Sequence, residues 1–286
     1  MKFSLGSDTL AIDQMVTIDG PNVIVKKGSI LKRPLTFEVT DQTELHVTVE
    51  PNSELTIIVD VRDGSNEGTT FTFHADVKDN AQVTYVLLSE LSHKNMIINQ
   101  SLDVSKDAKV HVIGAFLSEE LKANLNIRLN GQGSDVMMNA IAVSSSKQNQ
   151  IVDVNMTHYA PYSYADMYNI GIANDHGKIV LNGVEKIEQG NTQANAFQTL
   201  KGIILSDNAV VEVNPILLID EYDVKAGHGA TIGKIEENQL YYLQSRGLTK
   251  EQAEKLIING YIKPILDKIV DETIANRLEE TIYQRI

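Results

Sequence analysis

The residue of this sequence that could most clearly take part in chemistry is a histidine between two glycines. His228 lies between Gly227 and Gly229, and the glycines leave its imidazole sterically accessible while allowing close backbone approach. A neutral imidazole is a competent iron ligand and replaces thiolate in some iron–sulfur centres. A Gly-His-Gly segment is also a common chain bend. The local pattern therefore makes His228 a candidate metal ligand and leaves a purely structural role open.

The remaining side chains exclude several kinds of site. The chain has no cysteine, which rules out disulfides, zinc–thiolate sites and cysteine nucleophiles. The other six histidines are scattered, at positions 46, 74, 93, 111, 158 and 176, without the spacing of a zinc protease. His46, His74 and His111 lie in strand-like runs and are predicted to be surface or lateral side chains. No phosphate-binding loop is present, so nucleotide hydrolysis would belong to another polypeptide.

Composition narrows the class of protein further. At 286 residues the chain can bury a substantial core, and its 42% hydrophobic and 22% charged residues are ordinary for a globular protein. A net charge of −13 and the lack of tryptophan argue against a nucleic-acid-binding surface. The sequence contains neither a secretory leader nor an apolar run of about 20 residues that would span a bilayer. We therefore expect a cytoplasmic protein without membrane or nucleic-acid partners.

The elements that must position these residues are mostly short β-strands. Segments such as 45–49, 55–59 and 70–73 are rich in β-branched and aromatic residues that often alternate with polar ones. Turns with Asp or Asn before a small residue occur at 51–53, 79–81, 106–108, 133–135 and 207–209. The first four recur about every 27 residues, as the coils of a β-solenoid do. An antiparallel sandwich gives a similar strand spacing, so the pattern by itself leaves both folds open.

After Gly233 the pattern changes from strand to helix. Residues 236–246 form one predicted helix, with Gly247 at its C-terminal end. The sequence therefore divides into a β-rich core over residues 1–233 and a helical segment over residues 234–286.

Two more helices are predicted in that segment. Thr249 and Gln252 form a capping box that begins a second helix, which we expect to end at Gly260. Pro264 suits an early position in a third, amphipathic helix that reaches the C-terminus. The apolar faces of these helices could cap the open end of a solenoid.

The segment around His228 resembles a known family. Residues 223–233 read DVKAGHGATIG and are followed by YLQSRGL at 242–248. Together they resemble the C-terminal signature of the SufB/SufD family, scaffold proteins of iron–sulfur cluster assembly. The D-type signature is close to DVKCSHGATVG, whereas the B-type has a glutamate where this chain has Gly229. The match is therefore closest to the D-type, with Ala226 in place of cysteine and Gly227 in place of serine.

The resemblance is specific over residues 150–262 and implies a fold. Members of the family look like right-handed parallel β-helices, so we expect a mainly β protein, a right-handed parallel β-helix (β-solenoid) with a C-terminal α-helical segment. Typical members also carry a helical domain ahead of the solenoid. Strand-like sequence begins almost at once here, so the chain reads as a short D-type form.

The resemblance also implies a function. It makes the chain a non-catalytic scaffold that pairs with a SufB-type subunit or a second copy of itself and binds the ABC-type ATPase SufC. His228 becomes the residue that helps to nucleate a cluster at the subunit interface. The expected cargo is an iron ion or a transient iron–sulfur cluster, not a tightly bound cofactor. The surrounding motif positions are Asp223, Lys225, Gly227, Gly229 and Thr231, and the candidate ATPase-docking residues are Tyr242, Arg246 and Gly247.

Two other functions remain open at this point. A relative of the family could act as a homodimeric interaction module without a cluster role, because no thiolate ligand is present. A β-solenoid polysaccharide lyase or hydrolase would need carboxylates or basic residues clustered on one face. Here Asp79, Asp107 and Asp207 fall at predicted turns, where the turn itself accounts for them.

Overall fold

The computed structural model describes residues 2–4, 14–65, 69–92 and 95–286, and His93 lies outside these ranges. The described chain contains a series of β-strands followed by three helices. The strands are β1 (Lys2–Ser4), β2 (Val16–Asp19), β3 (Asn22–Val25), β4 (Leu35–Val39), β5 (Glu44–Val49), β6 (Glu54–Arg62), β7 (Thr70–Val77), β8 (Gln82–Glu90), β9 (Met96–Val104), β10 (Lys109–Phe116), β11 (Glu120–Leu129), β12 (Asp135–Ser144), β13 (Asn149–His158), β14 (Tyr164–Ala173), β15 (Lys178–Ile187), β16 (Asn195–Ile204), β17 (Val210–Ile219) and β18 (Lys225–Lys234).

These strands form two nine-stranded sheets, with successive strands from β3 to β18 alternating between them. One sheet, here called the covered sheet, has the order β1-β4-β6-β8-β10-β12-β14-β16-β18; the other, the bare sheet, runs from β17 back to β2. From β3 onward each strand pairs in parallel with the strand two positions later, as Val110 of β10 does with Val136 of β12. This coiling confirms the predicted parallel β-solenoid and shows that the sandwich alternative is wrong.

The turns stack at the corners as the Asn and Asp pattern predicts. Asn52, Asn80 and Asp107 have positive φ angles of 59°, 58° and 54°, in the left-handed region that Asn and Asp tolerate. Successive corners are tied together, since the Asn52 N–H donates to the Asp79 carbonyl at 3.0 Å. The repeated turn chemistry therefore sets both the corner and the spacing between coils.

The space between the two sheets, here called the lumen, is filled by alternate side chains of both sheets. In the early coils these side chains are large and apolar. Phe73 stacks on Tyr85 with 4.3 Å between ring centroids and 3° between ring planes. The Tyr85 hydroxyl donates to Gln100 Oε1 at 2.8 Å, which satisfies the one polar atom of this stack.

Three helices follow β18: α1 (Glu237–Ser245), α2 (Lys250–Leu266) and α3 (Glu272–Arg285). The predicted capping box is confirmed, because the Gln252 N–H donates to Thr249 Oγ1 at 3.2 Å and the Thr249 N–H donates to Gln252 Oε1 at 2.9 Å. Gly247 has a φ of 97°, as a glycine just after a helix requires.

The predicted boundary between the second and third helices is wrong. Helix α2 continues through Gly260 and contains Pro264, and α3 begins only at Glu272. Pro264 removes one hydrogen bond from the helix interior. The neighbouring Ile262 and Ile265 are buried, and each such side chain contributes about 1.5–3 kcal/mol. Tertiary packing therefore holds the helix together where its local sequence predicts a break.

Helices α2 and α3 lie on the outer face of the covered sheet and do not cap the end of the solenoid. Ile258 of α2 and Ile282 of α3 share one buried cluster with the outward-facing Ile141 of β12. Arg277 of α3 donates to both carboxylate oxygens of the buried Asp60, at 2.9 and 3.1 Å. The prediction that the helices cap the solenoid is therefore wrong. Their apolar faces pack on the apolar outer surface of the covered sheet, and strands β17 and β18 remain largely exposed.

Candidate functional site

Strands β17 and β18, here called the last coil, form the edges of the two sheets and carry His228. The Lys225 N–H donates at 3.0 Å to the carbonyl of Ala194, the residue just before β16, and Lys225 pairs in register with Asn195. Since backbone groups alternate in direction along a strand, odd-numbered residues of β18 bond to β16. The even-numbered residues, His228 among them, point their N–H and C=O groups to the free edge.

The side chain of His228 lies on the lumen side of β18. His228 pairs in register with Gln198 of β16, whose side chain is buried in the lumen. In-register neighbours of a parallel sheet place their side chains on the same face. His228 itself is exposed, because β18 ends its sheet within the described chain. The imidazole therefore sits at the mouth of the solenoid, free to accept a ligand.

The other predicted motif positions serve the backbone or the opposite face. Lys225, Gly227, Gly229 and Thr231 alternate with His228 and face outward. Asp223 closes the preceding turn, where its carboxylate accepts a hydrogen bond from Gln193 Nε2 at 2.6 Å. Of the predicted site positions in this motif, the structure brings only His228 to the lumen.

Strand β17 offers a second free edge. The N–H groups of Val210 and Asp220 donate to carbonyls of the β15 side at 3.0 and 2.9 Å, so even-numbered residues of β17 bond to β15. Pro215 is odd-numbered, and its missing N–H falls on the free edge, where it costs no hydrogen bond within the chain. The lumen-facing Leu217 is only half-buried.

One coil deeper, the lumen holds polar groups that the sequence analysis missed. Glu185 of β15 is fully buried, and burial raises its pKa to about 9, so the metal-free carboxyl is neutral at pH 7. His158 of β13, one coil further in, is also fully buried; burial lowers its pKa to about 4, and its Nδ1 lies 2.7 Å from Ser163 Oγ. The available signal for Glu185 was its place in the lumen-facing alternation after Leu181 and Gly183.

The bare sheet carries a separate cluster on its outer face. In the part of the chain that the structure describes, one group of three potential metal ligands lies within 4.8 Å: His74, Asp76 and Asp103. Arg128 donates to both carboxylate oxygens of Asp103, at 2.6 and 2.5 Å, and lowers its pKa. The arginine already neutralises this carboxylate, so the cluster is a surface ion-pair network. His74 is partly exposed there, in agreement with its predicted surface position.

The candidate docking residues lie at the end of α1. Every residue of α1 is at least partly exposed, and Tyr242 is 57% exposed. The guanidinium of Arg246 lies 5.4 Å from the centre of the Tyr242 ring, and Gly247 ends the helix. Aromatic and arginine side chains of this kind are enriched in protein interfaces, so α1 has the composition of a contact surface.

The acidic residues that a carbohydrate-active site would need have structural roles in the turns. The Lys106 N–H donates to Asp79 Oδ1 at 3.2 Å, and Asp207 forms an ion pair with Lys234. Asp107 has the left-handed backbone of a corner residue. These contacts account for the acids without a glycosidic site.

Among the residues that the structure describes, no helix is both long and apolar enough to cross a bilayer. Helix α2, the longest, instead buries one face on the covered sheet.

Comparison with known families matches residues 36–261 to the SUF system FeS cluster assembly, SufBD core domain. The chain is 32% identical to the iron–sulfur cluster assembly protein SufD of Bacillus subtilis over 211 residues, which cover 73% of this chain and 48% of that protein. It is 27% identical to SufD of Escherichia coli over 299 residues, which cover 97% of this chain and 68% of that protein. The chain thus spans about half the length of the first relative and about two thirds of the second.

A plant relative is similar to this chain at lower sequence identity. The chloroplastic protein ABCI7 of Arabidopsis thaliana is 23% identical over 245 residues, which cover 79% of this chain and 52% of that protein.

Proposed function

Because this chain belongs to the SufBD core family of the SUF system, we propose that it is a SufD-type scaffold subunit of iron–sulfur cluster assembly. In this proposal it is non-catalytic, pairs through its last coil with a SufB-type subunit or a second copy of itself, and binds a SufC-type ATPase through α1. The cargo is iron or a transient iron–sulfur cluster held between the paired subunits.

The observation that carries the proposal is the position of His228. Its imidazole is exposed on the lumen side of a strand whose own backbone edge is free. One imidazole in a chain without cysteine cannot complete the four-ligand shell of a cluster. The missing ligands must therefore come from the surface that covers the last coil, which makes the cluster site a property of the pair.

Replacing His228 by alanine tests this role. We expect the His228→Ala protein to fold and to pair normally, because the side chain is exposed, while the yield of cluster reconstituted on the assembled complex falls severalfold. His176→Ala, at an exposed turn, is the matched control. An unchanged cluster yield would reject the ligand role and favour an interaction module without a cluster function.

The pairing half of the proposal rests on the two free edges. Exposed strand edges readily accept a strand from another chain through backbone hydrogen bonds. On β17 the odd-numbered residues present these groups, and half-buried apolar side chains such as Val213 and Leu217 lie beside them. A partner strand would bond to the edge and cover these side chains at the same time.

The alternation of β17 allows a sharp test of pairing. Leu217→Pro removes an N–H from the free edge, whereas Leu218→Pro removes an N–H that faces β15. We expect Leu217→Pro to stay folded and to lose pairing by size-exclusion chromatography and light scattering. Leu218→Pro should destabilise the subunit itself. A folded Leu217→Pro protein with an unchanged oligomeric state would exclude β17 from the interface.

The position of α1 suggests how an ATPase could act on the site. Helix α1 begins at Glu237, three residues after β18 ends at Lys234, so a displacement of α1 pulls on the strand that carries His228. Helices α2 and α3 are anchored to the covered sheet and would stay in place. A nucleotide state that prefers a displaced α1 would therefore open the paired last coils.

Binding of the ATPase is tested by pull-down with purified SufC. Tyr242→Ala with Arg246→Glu should weaken the complex about tenfold or more, because aromatic and arginine contacts dominate many interfaces. Tyr159→Ala, at an exposed tyrosine far along the chain from α1, should leave binding unchanged. Equal binding by both variants would place the docking surface elsewhere.

A further inference from the structure

The lumen behind the last coil contains a carboxylate that the cluster proposal does not use. Glu185 lies on β15, paired in register with Met156 of β13 and Leu217 of β17, and is fully buried. Within the described part of the chain, neither of its carboxylate oxygens has a hydrogen-bond partner. A buried carboxyl group without hydrogen-bond partners costs free energy even in its neutral form, so an apolar surrounding alone does not account for it.

A second buried acceptor faces the same space. Gln198 is 2% exposed, and its Nε2 donates to the Ile216 carbonyl at 2.7 Å, which fixes the orientation of the amide. Its Oε1 has no partner among the described residues. A Cβ atom built on Gly183 would lie 2.7 Å from this oxygen and 2.9 Å from Met167 Sδ. Gly183 is the lumen-facing residue just before Glu185 on β15, so glycine provides the room for this group.

The chemistry of the unpartnered atoms identifies the ligand class. Both oxygens of Glu185 and the side-chain oxygen of Gln198 are acceptors, and the Met167 thioether lies near Gly183 beside the Gln198 oxygen. A single proton on Glu185 could serve one acceptor and would leave another unsatisfied. A divalent cation such as Mn²⁺ or Fe²⁺ accepts several oxygen ligands at once. We propose that the lumen between β15 and β16 binds a divalent metal ion. Glu185 would be its carboxylate ligand, and the side-chain amide oxygen of Gln198 (Oε1) would be a second ligand.

The proposed metal site lies close to the open end of the solenoid and to His228. Leu217 lies over Glu185 and His228 lies over Gln198 in the register of the last coil. One layer of side chains therefore separates the metal site from the open end of the solenoid. If the proposed cluster role of His228 holds, the inner site would keep an Fe²⁺ ion one coil away from it, but the inner site does not depend on that role.

The test uses Mn²⁺ as the probe on chelator-treated full-length protein. We expect one Mn²⁺ per chain by electron paramagnetic resonance and calorimetry, with a rise in melting temperature on binding. Glu185→Gln keeps the shape of the side chain and should weaken binding about tenfold or more. Glu212→Gln, an exposed acid on β17, should bind as the unchanged protein does.

The outcomes separate this site from the cluster proposal. Loss of Mn²⁺ binding in Glu185→Gln supports the inner site whether or not His228→Ala binds the ion. Undiminished binding by a folded Glu185→Gln protein, or no binding by the unchanged protein, overturns it. Binding that is lost in His228→Ala and kept in Glu185→Gln would place the metal at the open end and leave only the cluster proposal standing.

Discussion

The early and late coils of this solenoid have the same backbone and very different interiors. In the early coils the lumen is packed with large apolar side chains, among them the stacked Phe73 and Tyr85. In the late coils it contains Gly183, Glu185 and Gln198, and both carboxyl oxygens of Glu185 lack partners within the described chain; the early lumen leaves the amide nitrogen of Gln100 without one but contains no such carboxyl group among its described residues. One structural repeat therefore serves two purposes: the early coils stabilise the fold, and the late coils place polar groups next to the open end of the solenoid.

The physical reason is the free-energy cost of burying a polar group inside the protein. Burying an apolar side chain stabilises the fold, whereas a buried acceptor without a donor destabilises it by about 1–3 kcal/mol. A solenoid tolerates this because each coil contacts only its neighbours, so a poor layer does not disrupt a good one.

The largest effect is expected in the early lumen. Phe73→Ala removes a fully buried ring and its stack on Tyr85, and should cost about 3–5 kcal/mol of unfolding free energy. Denaturant unfolding followed by circular dichroism measures this. Phe197→Ala removes the same kind of ring from the outer face of a late coil, where it is 37% exposed, and should cost about 1 kcal/mol or less. Equal losses would show that burial in the lumen does not set the cost of losing the ring.

Glu185→Gln should stabilise the metal-free protein at high pH. The folded-state pKa of Glu185 is raised to about 9, so its neutral form favours the fold at low pH, and that contribution is lost as pH rises from about 4.5 through 9. Glutamine does not titrate. The variant should therefore gain on the order of 2–4 kcal/mol relative to the unchanged protein between pH 5 and pH 8. A difference that stays constant with pH would show that Glu185 is not buried as a neutral acid.

His158 gives the opposite dependence on pH. Its pKa is lowered to about 4, so its neutral form favours the fold above pH 6.5, and that stability is lost as pH falls through 4. His158→Gln should remove on the order of 2 kcal/mol of the decline over this range. His176→Gln, at an exposed histidine, should keep the full decline in the same melting series. Parallel curves for the two variants would contradict the buried neutral state.

The smallest effect is expected at His228. His228→Ala should change the unfolding free energy by less than about 0.5 kcal/mol, because the side chain is exposed on an edge strand. A loss of several times that size, measured by the same denaturant unfolding, would mean that the histidine belongs to the packed interior. In that case the end of the solenoid would be packed as the early coils are, and the contrast between the two regions would not hold.

Local chemistry in the sequence predicted much of this fold. The Asn and Asp turns, the alternation of apolar residues and the capping box of Thr249 and Gln252 each act through neighbours in the chain, so they can be recognised without the fold. The helix through Gly260 and Pro264 was missed for the opposite reason. Its stability comes from Ile262 and Ile265, which share a buried cluster with side chains of the covered sheet such as Ile141, more than 100 residues away in sequence, and this packing outweighs local helix propensity.

The family, through the segment that contains His228, and the lack of any thiol ligand can also be read from the sequence. The tertiary structure was needed to establish which side of each strand faces inward. It placed Glu185 and Gln198 in the lumen one coil below His228, set the backbone of β17 and β18 toward a free edge, and laid α2 and α3 along the covered sheet. These properties depend on register between strands about 30 residues apart, and a one-residue shift would turn every side chain to the other face.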